Sequence, residues 1–225
     1  MVSWSVDYSA FERAHRRLEE THSEWNTPEE LEETLTLLAG FLRSPGVPRS
    51  GRALELGCGG GELAVWLAEL GFAVFGVDIS PTAIRRARER FAARGFEGDF
   101  RVASVLDLSE FDDGFFDLVL DGHCFHCIIG EDRRAFLANA WRVLRRGGIF
   151  HVATMCGEIH DPEVRDSFDA ATRCLVRDGV AIRQINPAPD ILREIEDAGF
   201  RVLRHEIDPP TKIHDQADLL VNATK

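Results

Sequence analysis

Two hydrophobic periods share this chain. Short apolar runs over 52–57, 73–78, 99–105, 116–121 and 149–154 read as strands. Between several of them, apolar residues recur every third or fourth position, over 61–70, 81–94 and 131–145, as helices require. Phe136, Leu137, Ala140, Trp141 and Leu144 form the stripe of the last of these, which stops at Gly147 and Gly148. Such alternation predicts a parallel sheet with helices on both faces.

The flanks follow other rhythms. Upstream, 8–20 reads as helical. Thr27, Pro28 and Glu30 then form a capping box with proline at the first helical position, opening a helix with Leu31, Leu35, Leu38 and Leu42 on one stripe. Residues 45–51 are a connector of turn formers. Downstream, the pattern predicts a helix over 161–178, an extended stretch over 180–185 and a helix over 189–198. Strands over 200–207 and 219–224 close the chain.

The first strand runs into the segment 54–62, Leu-Glu-Leu-Gly-Cys-Gly-Gly-Gly-Glu. Gly57, Gly59 and Gly61 let the backbone take positive φ and approach a ligand, and the helix start beyond offers unpaired N–H groups. Glu62 stands where a dinucleotide-binding turn would carry its third glycine. Glu55 precedes the first glycine by two residues, and the next strand ends in Asp78, at the distance where an acid meets a ribose. Asp78 also fits a second role, as a helix cap, since Ser80 and Pro81 follow directly.

Four ordered motifs carry a resemblance. Glu55-Leu-Gly-Cys-Gly-Gly-Gly, then Gly76-Val-Asp-Ile-Ser, then Phe116-Asp-Leu-Val, then Leu144-Arg-Arg-Gly-Gly resemble those of class I S-adenosylmethionine-dependent methyltransferases. The resemblance implies a Rossmann-like, doubly wound, mostly parallel seven-stranded sheet with an antiparallel last strand. It implies S-adenosylmethionine as cofactor and S-adenosylhomocysteine as product. Asp78 would accept both ribose hydroxyls, which suits a carboxylate. Glu55, Gly57, Cys58, Gly59 and Gly61 would border the methionyl and ribose portions, Ile79 the adenine face, and Ser104 and Val105 the adenine edge. Ser104 departs from the acid many relatives carry there, and Asp107 is the local alternative. Asp121 would border both cofactor and substrate.

The most individual segment is Asp121-Gly-His-Cys-Phe-His-Cys, after the fourth strand. In the family this loop lies beside the reactive methyl, and His126 matches a histidine common there. Asp121, His123 and His126 are the catalytic candidates, for orienting a substrate or taking its proton. Each histidine also suits a structural hydrogen bond. His123, Cys124, His126 and Cys127 have the residue types of a zinc site, with Cys156 or His151 as a second source. Four ligands within five residues close a tetrahedron poorly, so no metal is expected. The cysteines could instead hold a thiol, selenol or metalloid substrate, or be small buried side chains. His151 and His160 are weaker substrate candidates.

Composition narrows the class. The chain has 225 residues, 44% of them apolar and 28% charged, as in ordinary globular proteins. A formal charge of −12 disfavours a large nucleic-acid footprint. The basic cluster over 85–90 reads as a solvated helix face. Five cysteines without a disulfide-like array fit a reducing cytosol, and no apolar run suggests a membrane span. The expected organisation is a single domain over 1–225. Within it, 1–47 forms an arm, 51–154 a cofactor core, 155–190 a substrate cap, and 191–225 a helix and hairpin. Trp4, Tyr8, Phe11 and Trp25 either pack the arm on the core or form an aromatic lid. The expected activity is methyl transfer to a small molecule. A nicotinamide-dependent oxidoreductase and a cofactor-binding protein without turnover are the rivals.

Overall fold

The computed structural model describes residues 4–210 and 216–225. A short strand β1 (Ser5–Val6) leads into α1 (Ala10–Glu20) and α2 (Pro28–Leu42). The alternating part then runs β2 (Gly51–Leu56), α3 (Glu62–Glu69), β3 (Phe72–Asp78), α4 (Pro81–Ala93), β4 (Gly98–Val102), β5 (Phe116–Gly122), α5 (Asp132–Val143) and β6 (Leu144–Cys156). A 3₁₀ turn (Phe125–Cys127) follows β5. Beyond β6 come α6 (Pro162–Arg165), β7 (Phe168–Asp169), β8 (Cys174–Arg177), β9 (Val180–Gln184), α7 (Ala188–Asp197), β10 (Arg201–Asp208) and β11 (Ala217–Thr224). Residues 211–215, inside the expected final hairpin, lie outside the described residues.

The main sheet has seven strands in the order β10-β11-β6-β5-β2-β3-β4. β2 pairs in parallel with both β3 and β5, and β11 runs antiparallel to β6 and β10. The expected doubly wound sheet with an antiparallel last strand is therefore present. Its centre is buried on both faces, so its strands read as near-continuous apolar runs. Neighbouring residues show the division. Leu54, Leu56 and Val119 pack with Phe136 and Ile191 on one face. Ala53, Leu118 and Leu120 pack with Leu38, Leu67 and Ile84 on the other. From β4 the chain returns across the sheet to β5, on the far side of β2. That reversal opens a crevice at the carboxyl ends of β2 and β5, where ligands of such sheets bind.

Two expectations are corrected. The helix expected over 161–178 shrinks to the four residues of α6. Asp169 accepts hydrogen bonds from Ala171 N–H and Thr172 Oγ1, which turns the chain out of helix. Asp178 and Gly179 then take φ of 50° and 75°, the conformation of a tight hairpin turn, and β8 pairs antiparallel with β9. The result is a small second sheet, β1-β9-β8-β7, whose outer strand comes from the N-terminus.

The basic cluster on α4 is not a solvated face throughout. Arg85 pairs with Glu19, and Arg86 and Arg90 both pair with Glu24, at 2.6 and 2.8 Å. The cluster is the dock on which the N-terminal arm lies.

Candidate functional site

The glycine turn between β2 and α3 is shaped by what crowds it. A Cβ on Gly57, at φ +67°, would stand 2.7 Å from Cys124 Sγ. Gly61 caps α3 at φ +79°, where a Cβ would meet Ala87 Cβ at 3.0 Å. The turn can therefore lie flat against both the 3₁₀ turn and α4 only with glycine at both places.

Asp78, buried at the end of β3, is fixed by two backbone donors. Gly59 N–H donates to one carboxylate oxygen at 3.0 Å and Ser80 N–H to the other at 2.8 Å. Each oxygen keeps a second acceptor site, and Asp78 lines the cleft. Burial pushes its carboxyl above the usual range, countered by these N–H groups and by His15. Glu55 lies deeper, 3% exposed, with Oε2 making no hydrogen bond. Burial first, then the nearby Asp78 and Glu62 carboxylates, holds its pKa well above the carboxylate norm.

The arm covers this half of the cleft. His15 is 5% exposed and lies within 4.9 Å of the Trp25 ring. A Cβ on Gly59 would come 3.7 Å from His15 Cε1. Glu12 accepts from Ser80 Oγ at 2.5 Å, Thr82 Oγ1 at 2.9 Å and Thr82 N–H at 3.3 Å, closing the N-terminus of α4. Tyr8 Oη donates to Asp132 and accepts from Ile129 N–H, at 2.8 and 3.1 Å. Tyr8, Phe11 and Trp25 all line the cleft, whose volume is about 570 Å³. Packing and covering are thus one role for these aromatics. Trp4 goes elsewhere, donating from Nε1 to Asp169 of the second sheet.

The loop after β5 forms the opposite wall. His123 adopts φ 70°, a left-handed conformation that costs a non-glycine residue roughly 1 kcal/mol or more. Three contacts hold it there. His123 N–H donates to Ala153 O at 3.0 Å, and Asp121 Oδ1 accepts from Cys124 N–H and Phe125 N–H at 2.8 and 2.9 Å. Arg133 grips the turn from below, donating to Phe125 O at 3.0 Å while its Nε meets Glu194 at 2.6 Å. His123 Nε2 faces Asp218 Oδ2 of β11 across 3.5 Å. Burial raises the Asp218 carboxyl, and His123 opposes that rise. His126 is 3% exposed, with Nδ1 at 3.4 Å from both Thr154 Oγ1 and Met155 N. Burial drives its pKa well below the usual imidazole value, so it is neutral.

Most expected residues meet here. Glu55, Gly57, Cys58, Gly59, Asp78, Ile79, Ser104, Val105, His123 and His126 all line the cleft. Two do not. Gly61 supports the turn from behind. Asp121 is fully buried beneath the floor, where it caps the 3₁₀ turn and where burial raises its pKa to about 7. Its expected contact with cofactor and substrate is therefore corrected to a positioning role. Asp107 is exposed and caps its own turn through Ser109 N–H. His151 sits in the core against Asn222, and His160 is exposed outside the cleft lining. Among the described residues, no three His, Cys, Asp or Glu side chains converge as a metal shell. No helix among them is long and apolar enough to cross a membrane.

Sequence reasoning missed Glu12, His15, Arg183 and Asp218. All four come from segments outside the alternating core. A signal existed for one segment: the stretch over 180–185 reads as extended, and Asp178-Gly179 before it is a hairpin signature that would have paired it with Cys-Leu-Val-Arg.

Comparison with known proteins places the core. A family model described as a methyltransferase domain matches residues 54–152. A ubiquinone biosynthesis O-methyltransferase from Brucella anthropi is 34% identical over 122 residues, covering 53% of this chain and 48% of the relative. This chain thus spans about half the length of that relative. A solved structure titled for the conversion of a disulfide bond into a thioacetal group during echinomycin biosynthesis aligns with TM-score 0.68 and 25% identity, covering 97% of this chain and 93% of that one. The Burkholderia thailandensis 1,6-didemethyltoxoflavin-N1-methyltransferase, solved with its substrate and S-adenosylhomocysteine, aligns with TM-score 0.74, 19% identity, and coverage of 97% and 86%. At that identity the last likeness speaks for the fold.

Proposed function

We propose that this chain, a class I S-adenosylmethionine-dependent methyltransferase by domain and by fold, transfers the cofactor's methyl group to a small-molecule acceptor in the cytoplasm. The observation that carries this reading is Asp78. Two backbone N–H groups fix its carboxylate at the rim of the cleft, with acceptor capacity left for a ribose diol. Gly57, Cys58 and Gly59 would border the methionyl and ribose portions, and Ile79, Ser104 and Val105 the adenine. The acids at the turn, Asp78 and Glu62, give this half of the cleft a negative potential suited to a sulfonium cation. The same acids speak against a dinucleotide, whose pyrophosphate would have to lie among them.

When bound, the cofactor supplies an electrophilic methyl. The protein's share is to hold the acceptor in line and to take its proton. His123 is the group for the proton, with Asp218 placed to stabilise the imidazolium as it forms. Asp121 and Arg133 keep His123 in its strained conformation. The neutral His126 closes the wall behind it, and the arm and the second sheet form the roof that limits the acceptor to a small molecule. The relatives named O-methyltransferases support a hydroxyl acceptor.

Calorimetric titration with S-adenosylhomocysteine, beside NADH as control, tests the cofactor half of the reading. S-adenosylhomocysteine should bind and NADH should not, and the reverse result would sink the proposal. A labelled-methyl assay over a metabolite panel tests turnover.

A further inference from the structure

The wall of the cleft farthest in sequence from the glycine turn holds an unused cation. β9 pairs antiparallel with β8 and ends at Gln184, just before Ile185. Arg183 and Ile185 line the cleft, and Arg183 lies opposite Leu175 in the strand register. Among the described residues, Arg183 is the sole lysine or arginine of the lining. Its guanidinium approaches the Cys127 thiol and lies near His126. It forms no ion pair among the described residues. Besides Asp78 at the glycine turn, three aspartates share the cleft with it. One of them, Asp218, is matched with His123, and Asp208 and Asp161 stand with it on the β10 and α6 side.

The neighbouring arginines each meet a carboxylate. Arg133 has Glu194 and two carbonyls, and Arg173 has Glu158 and two carbonyls. Arg183 has only a neutral thiol beside it, since burial holds the Cys127 pKa up to about 12. Apolar side chains of Ile128, Val164, Leu175 and Ile185 share the cleft lining with it. A guanidinium in a partly apolar cleft, meeting no carboxylate among the described residues, is a receptor for a ligand anion.

Resting on the methyltransferase reading for its location, we infer that the acceptor is a small, largely apolar molecule bearing a carboxylate, and that Arg183 binds this carboxylate as the specificity-determining residue. The apolar body would then lie along Leu175, Ile185 and Ile128, between the guanidinium and His123. The anion anchors the acceptor and is not itself consumed. The site divides its charges: acids face the cationic cofactor, and the one arginine faces the anionic acceptor.

The test uses the full chain and three acids, benzoate, phenylacetate and octanoate, each beside its carboxamide. Binding is measured by calorimetry, with and without saturating S-adenosylhomocysteine. At least one acid should bind about tenfold tighter than its amide, the size of a charge-assisted bidentate pair in a partly hydrated cleft. Arg183→Met should erase that preference, and Arg183→Lys should keep part of it. Affinity for S-adenosylhomocysteine and the melting temperature should stay unchanged in both variants. Acids binding no better than amides, or a preference that survives Arg183→Met, would overturn the inference. Tighter binding of benzylamine than of any acid would overturn it too, by giving the site to the aspartates. If S-adenosylhomocysteine fails to bind while the acids still depend on Arg183, the cofactor reading falls and the anion site stands.

Discussion

The two walls of the cleft are built in opposite ways. The wall at the glycine turn is local: Gly59, Asp78 and Ser80 meet through hydrogen bonds inside one strand-helix-strand unit. The facing wall is assembled at long range. His123 meets Asp218 from 95 positions further along, and Arg133, which holds the turn, reaches Glu194 across 61. The local wall spends backbone N–H groups, which nearly any sequence supplies once glycine permits the turn. The distant wall spends side chains, and each works only if the register of another strand delivers its partner. Cofactor binding should therefore be less sensitive to changes far away in sequence than handling of the acceptor is.

Removing His123 breaks the comparison hardest. His123→Ala should lower turnover by about 10²–10⁴-fold, the usual range for a positioned acid or base, with S-adenosylhomocysteine affinity unchanged. Asp218→Asn should show part of the same loss and a shifted pH-rate profile. Equal turnover in both variants would remove the long-range wall from the chemistry.

On the local side, Asp78→Ala should weaken S-adenosylhomocysteine binding by about 100-fold, by loss of two charge-assisted hydrogen bonds, while the circular dichroism spectrum is kept. Calorimetry reads this directly, and an unchanged affinity would move the ribose elsewhere.

A smaller effect sharpens the boundary between the walls. Glu12 belongs to the arm yet serves the local wall, through Ser80 and Thr82. Glu12→Ala should raise the cofactor dissociation constant about fivefold, on the scale of one cap. The exposed pairs around Arg85 should matter less and fade with salt.

The smallest effect concerns pH. Asp121 has a pKa of about 7 in the fold, raised by burial from 3.8. Protons are then bound more tightly by the native state than by the open chain. Asp121 thus favours the fold below pH 4, and that contribution is lost as pH rises through about 7. Asp121→Asn keeps an acceptor for Cys124 N–H and Phe125 N–H. It should flatten the fall in melting temperature between about pH 4 and 7, by a few degrees.

The same contrast explains what the sequence could reveal. Gly57, Gly59 and Asp78 were readable because their partners lie within one βαβ unit, so spacing encodes geometry. The buried centre of the sheet was readable because strands covered on both faces leave plain apolar runs. Asp218 was not, since nothing in Asp-Leu-Leu-Val says that its strand will lie beside β6 with the carboxylate toward His123. The arginines of α4 misled for the same reason: a helix face with charges at three- and four-residue spacing looks alike whether water or another helix covers it. The helix expected over 161–178 failed because local side-chain bonds at Asp169 and the Asp178-Gly179 turn outcompeted a weak helical period.

One detail of the second sheet carries further. Ser5–Val6 is hydrogen-bonded alongside Val180 and Ala181, so the two leaves of the roof share a seam. A door whose leaves are stitched together admits and releases its contents as one event. Trimming the first six residues should accordingly loosen both leaves together, read as faster amide exchange over 8–20 and over 180–184 alike.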